Sequence, residues 1–135
     1  MLIRTTARTA AAAAALLITG LSLTACAGGG GSNGVYYSEI NENGGWLAQV
    51  TIDGSQVSYQ QTHCSTGDIP EDRLASGEIS DDTSTVIWTQ ENECGIQGQD
   101  DFIPSESMIT IDGVSYHKEG SSVADQALVE CEERR

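Results

Sequence analysis

The chain has 135 residues, with 6 Lys and Arg against 20 Asp and Glu, a formal net charge of −14. That length accommodates one small domain, and so few basic residues exclude a nucleic-acid-binding surface. The acid surplus would be repelled by anionic lipid, so electrostatics cannot hold this chain at a membrane. It fits solubility at a crowded surface better than a dedicated acidic binding function, and it leaves a cationic partner open.

The first 25 residues read as an export signal. Arg4 and Arg8 precede an apolar run from Ala10 to Leu23. Spanning a bilayer takes about 20 apolar residues, and this run is shorter and interrupted by Thr19, Gly20 and Ser22. An ordinary secretory signal also ends in small residues, but here the run closes on Leu23-Thr24-Ala25-Cys26. These four residues resemble the lipobox of bacterial lipoproteins. The resemblance implies cleavage after Ala25 and a diacylglyceryl group, carrying palmitate-type chains, on the Cys26 thiol. Two acyl chains hold stably where one holds marginally. The expected product is a lipid-anchored protein on the extracytoplasmic side of the cell membrane.

Three regions follow: a signal peptide over 1–25, a lipidated cysteine and Gly-rich tether over 26–34, and a β-rich domain over 35–135. As a flexible coil the tether spans on the order of 17 Å. With Arg4 and Arg8 removed, four basic residues face 20 acids, a net charge of −16.

Within the domain, alternation of period two predicts strands. Val35 to Ile40 forms the first. Trp46, Ala48, Val50 and Ile52 share one face of the second, and Val57 and Tyr59 resume that face after Asp53-Gly54-Ser55. Leu74 to Ile79 and Thr83 to Gln90 flank Ser80-Asp81-Asp82. Ile109 and Ile111 precede Asp112-Gly113, with Val114 and Tyr116 beyond. The paired strings Thr51-Ile52-Asp53-Gly54 and Thr110-Ile111-Asp112-Gly113 are near-identical hairpin signatures, because Asp-Gly supplies positive φ. Asn92 to Glu106 reads as a long loop. Ser122 to Glu132 carries Ala124, Ala127, Leu128 and Cys131 on one stripe and predicts a helix capped at Ser122. The fold expected is mainly β, a small antiparallel sandwich or barrel of about seven strands with one C-terminal helix.

With Cys26 acylated, Cys64, Cys94 and Cys131 remain, and an oxidising exterior favours one disulfide and one thiol. In a seven-strand meander the third and fifth strands run the same way, which predicts a Cys64–Cys94 bond. A Cys94–Cys131 loop would be nearly equal in chain entropy, so energetics do not choose between them. The same parity places His63 and His117 near one end. With Cys64, Cys94, Glu91, Glu93, Asp100 and Asp101 nearby, they form a candidate zinc or copper site.

No Gly-x-Ser-x-Gly elbow, phosphate-cradling loop or His-Glu-x-x-His string occurs. An EF-hand echo at Glu39 to Gly44 fails, because Val50 stands where a bidentate Glu is required. The domain also resembles small bacterial envelope lipoproteins of unassigned activity, through Gly34-Val35-Tyr36, Ile52-Asp53-Gly54, Tyr59 to Cys64, Ile111-Asp112-Gly113 and Tyr116. The expected function is a non-catalytic binding or interaction module without a cofactor. The alternative is an extracytoplasmic metal-binding lipoprotein using His63 and His117, and an extracytoplasmic hydrolase ranks third.

Overall fold

The computed structural model describes residues 32–41, 43 and 45–135. The expected signal peptide, Cys26 and most of the tether lie outside the described residues. The chain forms eight strands: β1 (Gly34–Tyr37), β2 (Trp46–Asp53), β3 (Gln56–His63), β4 (Ala75–Ile79), β5 (Thr85–Gln90), β6 (Gln99–Pro104), β7 (Met108–Ile111) and β8 (Val114–Lys118). A short 3-10 turn, Glu71–Arg73, joins β3 to β4, and one helix, α1 (Ser122–Glu133), follows β8. Each strand pairs antiparallel with its neighbour in sequence, and β1 closes on β8. The architecture is a closed up-and-down barrel, which leaves no unpaired strand edge.

Alternation dictates what fills it. Tyr36, Val50, Ile52, Val57, Tyr59, Val86, Trp88, Phe102, Ile109, Ile111 and Tyr116 are buried in one cluster, the packed interior. An eight-stranded barrel is just wide enough for side chains to fill it. The rim bearing Trp46 and His63 is called upper here, and the rim bearing the Asp53–Gln56 hairpin lower. Their pairing, Trp46 with His63 and Asp53 with Gln56, sets the two ends of the β2–β3 ribbon.

The two near-identical hairpin strings form different turns. Asp112 and Gly113 both take positive φ, 48° and 74°, as a type I′ turn requires. In the first copy Asp53 stays in β2, and Gly54 alone takes positive φ, 63°, before Ser55. That is the pattern of a II′ turn with glycine in its first central position. Gly77 has a separate reason. The β4–β5 register shifts beside it, and a Cβ there would sit 2.6 Å from the Ile87 carbonyl oxygen and 3.0 Å from the Trp88 ring. Only a residue without a side chain lets the two backbones approach this closely.

The strand that the sequence reading placed in a loop is β6. Its inward positions are Asp100 and Phe102, so only one of them is apolar and alternation is silent. This strand reverses the parity of everything after it. β8 therefore runs from the upper to the lower rim, and α1 starts at the lower rim and returns upward along the outside. Ser121 caps it, its Oγ accepting from the Ala124 N–H at 3.3 Å. The helix lays Ala127, Leu128 and Cys131 on Leu47, Tyr37 and Ile40, which face outward from the barrel.

The disulfide is Cys64–Cys131, with Cα atoms 4.7 Å apart, and Cys94 is the exposed thiol. The expected Cys64–Cys94 bond is thus corrected, because the eighth strand inverts the direction of α1. With seven strands the helix would carry Cys131 away from Cys64. With eight it delivers Cys131 to the rim where β3 ends.

Candidate functional site

The upper rim carries a continuous aromatic and polar cap. On β2 and β3 the inward parity reaches Trp46, Gln61 and His63 at the mouth. The Trp46 and His63 rings meet edge to face, with centroids 4.7 Å apart. Pro70 leads the chain into the 3-10 turn, which lays the Arg73 guanidinium 4.3 Å over the Trp46 ring centroid. Arg73 Nη1 donates to Gln61 Oε1 at 2.7 Å, and Gln61 Nε2 donates to Tyr59 Oη at 2.6 Å. A hydrogen-bonded chain thus runs from the half-buried guanidinium to a phenol in the core. Such a cation–π contact contributes about 0.5–1 kcal/mol at a partly exposed site.

Below the cap, Trp88 Nε1 donates to Asp100 Oδ2 at 2.6 Å, and the Trp88 ring stands edge-on to Tyr59 with centroids 6.5 Å apart. Asp100 therefore points inward because an indole N–H satisfies it. Burial pushes the Tyr59 phenol up to about 12, against a smaller lowering by its Gln61 hydrogen bond. Burial pushes Tyr116 up as well, helped by the neighbouring Tyr59, Asp100 and Asp112. A phenol raised in the folded state stays protonated after the unfolded one has ionised. Stability is therefore expected to be intact below pH 10 and to fall as pH rises toward 12. Tyrosinate absorbance followed together with far-ultraviolet dichroism checks this. Simultaneous ionisation of all tyrosines near pH 10 with the fold intact would refute it.

The segment from Asn92 to Gly98 closes the rim from the β5–β6 side. Asn92 Oδ1 accepts from the backbone N–H groups of Cys94 and Ile96 at 2.9 and 3.1 Å, and Ile96 packs against the core. Asn92 Nδ2 is buried and has no hydrogen-bond partner among the described residues. Glu91 Oε1 accepts from the Gly98 N–H at 3.1 Å, so this acid organises the loop.

The candidate metal ligands are dispersed. His63 ends β3 at the upper rim. His117 lies on the outer face of β8, paired with Tyr37 and Met108, on a strand that ends at the lower rim. The shared end expected for the two histidines is corrected by the same reversal of parity that moved the disulfide. Cys64 is consumed by Cys131, and Asp100 is held by Trp88. Among the described residues no group of three or more His, Cys, Asp or Glu side chains is placed to hold a metal ion.

His63 Nδ1 and Ser65 Oγ lie 2.8 Å apart, a serine–histidine contact within one turn. The other hydrogen-bond partner of the ring is Thr66, not a carboxylate. The orienting acid of a hydrolytic triad is thus not bonded to this histidine.

No protein family, curated protein or solved structure matches this chain.

Sequence reasoning placed Trp46 on an apolar face and counted Arg73 only as one of four remaining cations. It did not join them. The available signal was a turn after Pro70 carrying an arginine, following a strand whose partner begins with tryptophan. Arg73 is also distinctive electrostatically. The only ion pair among the described residues is Arg135–Glu132, at 2.9 Å on the surface. Arg73, in a chain rich in acids, is stacked on an indole and bonded to an amide instead.

Proposed function

We propose that this chain is a lipid-anchored, non-catalytic binding or interaction module on the extracytoplasmic side of the cell membrane. The sequence Leu23-Thr24-Ala25-Cys26 supports the anchor. One structural observation supports the orientation: the described fold starts at the lower rim, opposite the Trp46–Arg73 cap. Ser32 is already buried, its carbonyl accepting from Tyr36 Oη at 2.8 Å, and Asn33 Oδ1 accepts from the Gly54 N–H at 2.8 Å. Five residues, Ala27 to Gly31, separate Cys26 from Ser32.

The lower rim therefore stands next to the bilayer, and the upper rim faces away from it. Lower-rim acids, including Asp53, Asp81, Asp82, Glu106 and Glu119, hold the barrel off anionic lipid within the Debye range. No helix among the described residues is long and apolar enough to cross a membrane. On this reading the acyl chains alone attach the protein.

Cys94 supplies the test, because it is an exposed thiol on the outward rim. A membrane-impermeant maleimide applied to intact cells is expected to modify the protein, and Cys94→Ser to abolish that modification. Cys26→Ala is expected to abolish acyl labelling and to leave the protein unprocessed or released. Modification only after cell lysis, or continued acylation of the Cys26→Ala protein, would overturn the proposal.

A further inference from the structure

We infer that the Cys64–Cys131 bond is a redox latch, whose reduction by a dithiol frees α1 from the barrel wall while the barrel stays closed. Barrel and helix are packed by separate sets of side chains. The buried residues of the barrel interior all come from strands, from Tyr36 on β1 to Tyr116 on β8. The helix packs in a second cluster on the outer wall, where Leu47, Cys64, Ala127 and Cys131 meet Tyr37, Ile40 and Leu128. The two clusters share no residue. At the seam, β1 is held by four paired positions on β2, and the Glu119 N–H donates to the Val35 carbonyl at 2.8 Å. Neither contact involves the helix.

Without the bond, little holds α1 in place. Its buried residues are Ala124, Ala127 and Cys131, and Leu128 is half-buried. At about 0.8 kcal/mol per buried methylene-sized group, the two alanines contribute little. With 12 residues, the helix has a length at which an isolated helix is marginal in water. Its last turn has no basic residue, and Glu130, Glu132 and Glu133 sit at the negative end of its dipole. The Glu132–Arg135 pair is exposed and adds little. The Ser121 cap secures only the start of the helix.

An oxidising exterior keeps the bond closed, so release requires a reductant. Cys64 and Cys131 are buried, and attack therefore follows fraying of the last helical turn, which carries Cys131. One thiolate of the dithiol attacks either sulfur, and the other cysteine leaves as a thiolate and takes a proton. The second thiol of the reagent then displaces the remaining cysteine as it closes its own disulfide. Two electrons pass from the dithiol to the protein, and both cysteines end as thiols. Release uncovers Leu47, Tyr37 and Ile40 on the outer wall.

The test uses full-length protein in detergent, with and without dithiothreitol, followed by backbone carbon resonances. Reduction should return Ser122–Glu133 to coil shifts while Val50, Val57 and Tyr59 keep strand shifts, and reoxidation should restore the helix. Cys131→Ser should show the released helix without reductant, and Cys94→Ser should respond as the parent does. Four outcomes would overturn the inference: a bond that dithiothreitol leaves intact, helical shifts retained in fully reduced protein, a helix still docked in Cys131→Ser, or strand shifts lost together with the helix. The last would make the bond a staple of the whole fold. None of these readouts involves acylation or Cys94 exposure, so failure here leaves the anchor reading standing.

Discussion

Replacing Cys131 with Ser is expected to lower the unfolding free energy by about 4 kcal/mol. The Cys64–Cys131 bond joins residues 67 apart in sequence. In the chain-entropy description, a loop of that size restricts the unfolded chain by about 4.4 kcal/mol. Against the 5–15 kcal/mol typical of a domain, that is a large fraction. The bond also acts locally. β1 and β8 close the barrel through only two paired positions, Tyr36 with Lys118 and Tyr37 with His117. α1 lies along this seam and contacts β1, β2 and β8, and the disulfide fixes its far end. Freed at Cys131, the helix keeps its Ser121 cap and the packing of Ala124, Ala127 and Leu128. Cys64→Ser should match Cys131→Ser, and the double variant should add nothing, because both remove one bond. Cys94→Ser should change stability by less than about 0.5 kcal/mol, as expected for an exposed side chain. Denaturant midpoints measure the differences, and peptide mapping without reduction should recover the Cys64–Cys131 peptide with Cys94 alkylated. A Cys94-containing disulfide, or a Cys131→Ser midpoint equal to the parent's, would refute the assignment.

Much of the fold was legible from alternation, and the error came from one strand where alternation is interrupted. β2 and β3 were legible because Ala48, Val50, Ile52, Val57 and Tyr59 repeat every second residue and all enter the core. β6 was not, because Asp100 occupies an inward position. An inward carboxylate reads as polar in sequence and becomes acceptable only when a partner such as the Trp88 N–H is known. That partner is twelve residues away, across a loop, beyond any local pattern. The consequence spread because direction in a meander is a parity. Missing one strand left every later strand correctly identified but wrongly oriented, including the helix, Cys131 and His117. Local signals had the same limit at the turns. Thr51-Ile52-Asp53-Gly54 and Thr110-Ile111-Asp112-Gly113 look alike, yet the cross-strand register places Asp53 in a strand and Asp112 in a turn.

The cap on the upper rim was illegible for a related reason. Trp46, Gln61, His63 and Arg73 come from a strand pair and a later turn, and none has a motif of its own. The physical logic is visible only after closure. A tryptophan at a barrel mouth keeps one face near solvent, and a guanidinium covers that face while keeping its charge hydrated. Gln61 then connects the guanidinium to Tyr59, whose buried hydroxyl requires a partner. Cap and core are one hydrogen-bonded unit, so changes at the rim should be felt by the interior tyrosine.

Trp88→Ala is expected to destabilise the barrel by about 3–5 kcal/mol, the range for deleting a buried aromatic side chain. Trp88 is 5% exposed and packs on Gly77, its partner across β4 and β5, where a Cβ would not fit. Its ring also stands edge-on to Tyr59, and its Nε1 holds Asp100. Three effects therefore combine: a cavity, a lost aromatic contact and a carboxylate without its donor. Trp88→Phe separates them, because it keeps most of the apolar ring and removes the N–H. Leaving Asp100 unsatisfied should cost about 1–3 kcal/mol. Adding Asp100→Leu to Trp88→Phe should recover part of that loss, since an unpartnered inward carboxylate would be gone. The tyrosine titration provides a readout independent of stability. A cavity beside Tyr59 admits water, so its ionisation in Trp88→Ala should move from about 12 back toward the ordinary 10. Equal stability of Trp88→Phe and the parent would show that the Trp88–Asp100 bond does not hold β6 in place. An unmoved Tyr59 in a folded Trp88→Ala protein would show that this ring does not shield the phenol.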